Sequence, residues 1–552
     1  IQADDHVHSV GHCYRCKTAI EPNLSLQWFV RTKTLAERAI KAVEEGRTRI
    51  IPEHWTKTYY EWMNNIRDWC ISRQIWWGHR IPVWTCDACG RDIVEMEDPT
   101  VCPDCGKTSL TQDTDVLDTW FSSALWPFST MGWPDDTKLL KTFYPTATLV
   151  TGFDILFFWV ARMMMMGLHF MDEVPFKDVY IHALVRDEEG QKMSKSKGNV
   201  IDPLTVIDSY GTDAFRFTLA AFAAQGRDVK MSLARVEGYR HFINKLWNAA
   251  RFSMMHLDQA YPELDRANMG LADRWILSRL KNVTDEVTAS IDGYHFNDTA
   301  TCLYRFVWNE FCDWYLEASK AALYGKNGEA CMKASKAVLF RVLRDTLVLL
   351  HPVIPFVTEE IWGKLPGVSG SVMNAVYPAD QADFESLADK EADRDMEFVM
   401  GIISGVRNIR SELNIGPSLN LNAVIQSGND TETRTASRHR DMIMLLSRLE
   451  TLDITGIGEK PRSSATAIVG EASLYVKLEG VIDFDKEAER LEKAIAKLAK
   501  DVDSISKKLS NEGFMAKAPE DVVEKVRAQY QESKDKMDKY LENLKRINEA
   551  RA

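Results

Sequence analysis

Asp187-Glu188-Glu189-Gly190-Gln191-Lys192-Met193-Ser194-Lys195-Ser196-Lys197-Gly198-Asn199 is the stretch that decides how this chain is read. An acidic, turn-forming start leads into three lysines and two serines, and a second glycine closes the segment. Val179-Tyr180-Ile181-His182 before it has the character of a buried strand. Asp202-Pro203 after it has an acidic cap with proline at the first helical position, a helix start. A loop between strand and helix that carries cations and hydroxyl donors suits a polyphosphate. Further upstream, Thr148-Leu149-Val150 runs into Gly152-Phe153-Asp154 and an apolar segment at 155–170, a second strand–turn–helix unit. Alternating strands and helices predict a parallel sheet and an α/β region.

In an open parallel sheet, ligands bind beyond the carboxyl ends of the strands. There Gly152 would admit a ligand close to the backbone, and the Asp154 carboxylate could accept ribose hydroxyls. Alone, Asp154 reads as an ordinary helix cap; together with the lysine loop, the pair points to a nucleotide. Trp76 and Trp77 close the predicted helix at 55–76, and Ile155 and Trp159 are one helical turn apart. Such aromatic spacing fits either core or pocket. Walker A and Gly-x-Gly-x-x-Gly patterns are absent from the sequence.

Apolar residues make up 45% of the 552 positions and charged residues 27%, the balance of a globular protein. This length predicts about three to five domains. A net charge of −12 provides no global basic field, so contact with RNA would rest on local basic faces. The chain opens Ile1-Gln2-Ala3 with neither an initiator Met nor a basic-then-apolar leader, which suggests a fragment or processed product. The apolar run from Phe153 to Phe170 carries Asp154, Arg162 and His169, so a buried helix is expected there and no membrane partner. A cytoplasmic location is expected.

Six of the ten cysteines fall in Cys-x-x-Cys pairs. Cys86-x-x-Cys89-Gly90 and Cys102-x-x-Cys105-Gly106 each place two thiolates on a tight turn. Four sulfurs suit structural Zn2+, with no position left for a catalytic water. The alternative is a pair of knuckles without metal. His12-Cys13-x-x-Cys16 has no second knuckle; it reads as a second metal site, as half of one, or as a decayed knuckle.

From 232 onward strand signals give way to amphipathic helices at 232–258, 271–291, 297–324, 329–350 and 391–413, a helical bundle. Short alternating strands return over 416–482, a small α/β domain. In the tail, Leu491, Ile495, Leu498, Val502, Ile505 and Leu509 recur at steps of four and three, and the pattern resumes from Val523. Two heptad helices joined by a turn predict an antiparallel coiled-coil hairpin. The alternative is an amphipathic pair packed on the body.

Ile71-Ser72-Arg73-Gln74-Ile75-Trp76-Trp77-Gly78-His79-Arg80-Ile81-Pro82 resembles the valyl-tRNA synthetase family. So do Asp115-Val116-Leu117-Asp118-Thr119-Trp120-Phe121-Ser122-Ser123 and Thr151-Gly152-Phe153-Asp154-Ile155-Leu156-Phe157-Phe158-Trp159. Lys192 to Ser196 is similar to the signature lysine loop of class I aminoacyl-tRNA synthetases. Isoleucyl and leucyl enzymes share that loop but differ in the Gly-x-Asp segment. The likeness covers essentially the whole chain. It implies the C-terminal half of a Rossmann-type catalytic domain over 1–231, with a zinc knuckle insert at about 84–112. It further implies an anticodon-binding bundle over 232–415, the small domain over 416–482 and a tRNA-binding arm over 483–552.

By the same resemblance, ATP with Mg2+ and valine are substrates and valine tRNA is the partner. A monomer is expected because the bundle has its own core; binding of the missing half of the catalytic domain, or self-association through an open sheet edge, is the alternative. Lys195, with Lys192 in support, would stabilise the departing pyrophosphate. Gly152, Asp154, Met193, Ser194 and Ser196 would complete the ATP site. Trp77, Ile155 and Trp159 would line a small dry valine pocket. Arg407, Arg410 and the lysines from Lys493 to Lys508 are candidate phosphate contacts, with solvated surface charge as the alternative. The family's His-x-Gly-His motif and its editing insertion are not in the sequence. The expectation is therefore a C-terminal part of a longer synthetase, inactive by itself. An isoleucyl-type enzyme and a non-catalytic tRNA-binding derivative are the competing readings.

Overall fold

The computed structural model describes residues 8–13, 16–21, 23–194, 198–225, 228–261, 263–481, 484–511 and 520–551. They form two compact units, 1–200 with 222–231, and 201–221 with 232–552.

The first unit is built on a parallel sheet in the order Arg49–Ile51, Phe176–His182, Thr146–Gly152. The central strand is buried at Phe176 and continuously from Asp178 to Ile181, as expected of a strand covered on both faces. Its one charged buried member, Asp178, accepts from Arg49 Nε and Nη2 at 2.7 Å each, which ties the neighbouring strand in place. Helix Lys33–Glu44 buries only alanines, Ala36, Ala39 and Ala42, so it packs closely on helix Arg162–Phe170. That helix contributes four consecutive buried methionines, Met163 to Met166. The span Phe153–Phe170 is long and apolar enough to cross a membrane; here its buried residues, including Leu156 and Val160, form the core of this unit.

In this unit two expected helices differ from what is observed. The helix foreseen at 55–76 spans only His54–Asn64. Asn65 leaves helical geometry, and its side-chain amide donates to Glu61 O at 2.8 Å. The chain then extends, so that Trp69–Cys70 pairs with Phe29–Val30 and Ser72–Arg73 with Val116–Leu117. The spacing of Ile66 and Trp69 mimicked a helix, but strand partners distant in sequence decided otherwise. The helix foreseen at 155–170 starts with a 3₁₀ turn, Phe153–Ile155, widens to a π turn over Leu156–Ala161 and becomes α-helical at Arg162. The wide turn accompanies four aromatic side chains aimed at four partners: Phe153 at Trp55, Phe157 at Trp62, Phe158 at Trp120 and Trp159 at Trp126.

The second unit holds the long helices Leu233–Met254, Leu271–Asp292, Glu329–Leu350 and Lys390–Glu412. Residues 201–221 pack with it, although the sequence placed them with the α/β region. Phe217 is fully buried, 4.9 Å from the Phe242 ring. Asp213 accepts from Val357 N at 2.6 Å, and Arg216 donates to Val353 O at 3.0 Å.

The four-stranded sheet runs in the order Leu449–Thr455, Leu421–Gln426, Ala472–Lys477, Ser464–Val469. It shares one continuous core with the bundle rather than having its own. The reason lies in helix Lys390–Glu412. A Cβ at Gly401 would sit 2.6 Å from Val469 Cγ1, and one at Gly405 2.9 Å from Leu474 Cδ2, so this helix lies flush on the sheet.

Helices Phe484–Leu509 and Glu520–Arg551 pack side by side. The first has 26 residues, about 39 Å of rise. Asn543 Nδ2 donates to Glu412 O at 2.8 Å and ties the second helix to the body of its unit.

Candidate nucleotide site and cysteine cluster

Gly152 ends its strand directly opposite His182, the last residue of the central strand. Both segments singled out from the sequence therefore leave the sheet at the same carboxyl edge. A Cβ on Gly152 would lie 2.7 Å from Asp154 Oδ1 and 3.7 Å from His182 Cε1. The exposed Asp154 carboxylate thus folds back over a position only glycine can fill without displacing it.

Beyond His182, Val185–Arg186 pairs in parallel with Val229–Lys230, and Arg186 forms an ion pair with Asp228. Arg186 also bridges to Lys192 across the turn. Asp187 is buried; its Oδ1 accepts from Gln191 N at 2.6 Å and its Oδ2 from Asn199 Nδ2 at 2.7 Å. Asn199 Oδ1 in turn accepts from Ser194 N at 2.9 Å. Lys192 is exposed, and Met193 and Ser194 are half-buried. Lys195 and Ser196 lie outside the described residues. Asp187 and Asn199 were not singled out as functional from sequence. An Asp and an Asn bracketing a loop was the available signal, since both side chains readily bond nearby backbone.

Of the three residues expected to line a valine pocket, two are half-buried and one is exposed. Ile155 and Trp159 are half-buried, and Trp159 Nε1 donates to Ser123 O at 3.2 Å. Trp77, in contrast, is 88% exposed, so it closes no dry cavity in this structure. Beside it Gly78 has φ +151°, and a Cβ on it would lie 3.0 Å from Val116 Cγ2. Sequence reading also gave no individual role to Asp118, which is the hub of this region. It is 4% exposed and accepts from Trp69 Nε1 at 2.9 Å. It also pairs with Arg73 at 2.8 Å and with Arg162 at 3.8 Å. The Arg162 guanidinium stacks over Trp69, 4.0 Å from the ring centre, and burial pushes its pKa down against the pull of Asp118.

Cys86, Cys89, Cys102 and Cys105 converge, with all four sulfurs within 4.8 Å of one another. Cys86–Cys105 and Cys89–Cys102 are each separated by 3.6 Å. Four sulfurs around a central ion at about 2.3 Å would lie about 3.8 Å apart, so the donor set fits tetrahedral coordination. Gly90 and Gly106 take φ of +73° and +69° and donate to Cys86 O and Cys102 O at 2.8 and 2.9 Å, which closes each knuckle. Three short strands, Val83–Cys86, Asp92–Val94 and Leu110–Gln112, carry this cluster. Around the sulfurs the buried cluster is small: Cys86, Ile93 and Cys102, with Leu110 packed against them.

Two candidate phosphate contacts are otherwise engaged. Arg410 is buried and donates to Ser447 O at 3.2 Å and Arg448 O at 2.8 Å, serving as a structural tie. Arg407 donates to Leu446 O at 3.2 Å and stacks on Trp314. On the terminal pair, Lys493 pairs with Glu489 at 2.5 Å and Lys507 with Asp503 at 2.6 Å.

Comparison with known proteins matches residues 13–232 to the family "tRNA synthetases class I (I, L, M and V)". Residues 273–425 match "Anticodon-binding domain of tRNA ligase", and 483–548 match "Valyl tRNA synthetase tRNA binding arm". A valine–tRNA ligase of Syntrophotalea carbinolica is 56% identical over 99% of this chain and 61% of its own length. One of Thermotoga maritima is 50% identical over 99% of this chain and 61% of its own length. The chain thus spans about three-fifths of the relatives it matches. Among solved structures, a Mycobacterium tuberculosis methionyl-tRNA synthetase in complex with methionyl-adenylate shares the fold. It has a TM-score of 0.50 and 17% identity, over 66% of this chain and 72% of that one. With motifs, sheet edge, bundle and terminal helix pair in this order, the chain is similar over nearly its whole length to valine–tRNA ligases.

Proposed function

We propose that the protein carrying this chain is a valine–tRNA ligase, which uses ATP with Mg2+ to form valyl-adenylate and passes the valyl group to its tRNA. The observation that carries the reading is the register of Gly152 against His182. It brings the Gly-x-Asp turn and the base of the lysine loop to one edge of a parallel sheet, where such folds bind ligands.

In this reading Gly152 and Asp154 hold the ribose side of ATP, and Lys192, Met193, Ser194, Lys195 and Ser196 embrace its phosphates. When the valine carboxylate attacks the α-phosphorus, charge grows on the leaving pyrophosphate. Lys195, supported by Lys192, favours that state over the ground state. Ile155 and Trp159 flank the valine side chain, and Trp77 would have to turn inward to complete the pocket.

Zn2+ is proposed for Cys86, Cys89, Cys102 and Cys105 as a structural ion, because the small core of the insert cannot hold it folded alone. The helical bundle is proposed to read the anticodon, and the terminal helices to form a coiled-coil arm bracing the tRNA backbone. The chain by itself contains no His-x-Gly-His, and we propose that it does not make adenylate alone.

Valine-dependent pyrophosphate exchange tests the reading. The full-length protein should exchange with valine and not with isoleucine, and Lys195→Ala should lower the rate by about 100-fold or more, as for loss of one transition-state charge contact. An unchanged rate in that variant would remove the proposed mechanism.

A further inference from the structure

We propose that Asp187 and Asn199 act as a clamp that sets the lysine loop, making them positioning residues for the pyrophosphate-forming step. The inference rests on the functional reading above. Its geometric part stands on the hydrogen bonds alone.

Asp187 is 8% exposed and lies at the start of the loop, directly after the strand Val185–Arg186. Asn199 lies at the other end. The Asp187 carboxylate divides its two oxygens between the two ends, one to Gln191 N at 2.6 Å and one to Asn199 Nδ2 at 2.7 Å. The Asn199 amide then uses its own two atoms in opposite directions. Its Oδ1 takes Ser194 N at 2.9 Å, while Nδ2, besides Asp187, approaches Lys192 O at 3.4 Å. One carboxylate and one amide therefore fix the backbone on both sides of Met193. The base of the clamp is anchored in turn by Arg186 with Asp228, and by the pairing of Arg186 with Lys230.

The polarity of this arrangement is specific. Only an acceptor at 187 and a two-way amide at 199 satisfy these bonds together, because Gln191 N and Ser194 N are both donors. Bonds to a carboxylate are stronger than neutral ones, and Asp187 is shielded from water that would replace them. Catalysis by fixed charge requires the cation to be in place before the reaction, without reorganisation at the moment charge develops. A backbone held at Lys192 and Ser194 meets that need, whereas an unclamped loop would have to order itself in each turnover.

An exchanged pair provides the test. Asn199→Asp places two carboxylates in contact and removes the donor. The double variant Asp187→Asn with Asn199→Asp restores the complementarity in reverse. The amide oxygen now at position 187 can still take Gln191 N, and the amide nitrogen there can donate to position 199. The carboxylate now at position 199 can take Ser194 N. In the full-length protein, N199D should lower kcat for valine-dependent pyrophosphate exchange by about 10- to 100-fold, with KM for valine within about twofold and the Tm little changed. The exchanged pair should recover most of that kcat.

On the 552-residue chain, amide hydrogen exchange at Gln191 and Ser194 should be slow, speed up about tenfold or more in N199D, and slow again in the exchanged pair. Unchanged exchange in N199D, or a double variant no better than the single one, would overturn the clamp. If the unmodified full-length protein shows no valine-dependent activity, the functional reading fails, and the amide measurements still decide the clamp.

Discussion

Asp118 shows how much one side chain can organise. Its buried carboxylate stands between Arg162, also buried, and the half-exposed Arg73, and accepts a hydrogen bond from the Trp69 indole N–H. A buried ion pair contributes little net stability over a well-packed apolar substitute, but removing one partner strands the other charge. Asp118→Asn keeps the volume and removes the charge, so it should cost about 3 kcal/mol in urea unfolding of the first unit. The same change at exposed Asp172, paired with Arg38 on the surface, should cost about 1 kcal/mol at most. The contrast separates burial from mere ion pairing. The residue type at 118 was legible in the sequence as part of a motif. Its role was not, because Trp69 and Arg162 come to it from distant parts of the chain.

At the scale of elements, helix Lys390–Glu412 and the cysteine insert make opposite demands. The helix needs missing side chains. Gly401→Ala should favour the isolated helix by about 1 kcal/mol, yet the added carbon would meet Val469 Cγ1 at 2.6 Å on a stiff, β-branched side chain. Overpacking should win, with a net loss of about 1–2 kcal/mol in denaturant unfolding. The cysteine insert needs an added ion. The purified protein should contain one zinc per chain through these four thiolates, and chelation or Cys102→Ser should abolish the dispersed amide signals of residues 84–112 while leaving the helical bundle intact. Retention of those signals in metal-free protein would reject a structural role for zinc.

For the molecule as a whole, acid should loosen the second unit through its histidines. Burial lowers the pKa of His439 from its ordinary 6.5, against the pull of Asp395 and with the push of Arg438 and Arg274. His256 is lowered likewise by burial and Lys336. A histidine held neutral in the fold binds fewer protons than in the unfolded chain. Stability is therefore retained above pH 6.5 and falls as the pH drops below it. Unfolding midpoints between about pH 7.5 and about 5.5 should fall, and His439→Gln should flatten that slope; an equally steep slope in the variant would exclude His439 as a source.

The sequence alone determined whatever rests on near neighbours. Helix Glu329–Leu350 was legible to the residue, and the knuckle glycines, the Asp202 cap and the two terminal helices were legible because caps, turns and 3.6-residue periodicity are local. The tertiary structure decided where distant segments compete for the same residues. It ended the helix at Asn64 in favour of strand partners, drew 201–221 into the bundle through Phe217, and turned Arg410 from a candidate phosphate contact into a carbonyl tie. It also joined Asp187 to Asn199. Pattern reports a residue's preference, whereas burial and hydrogen-bond partners depend on which remote surfaces arrive beside it, and only the folded chain specifies those.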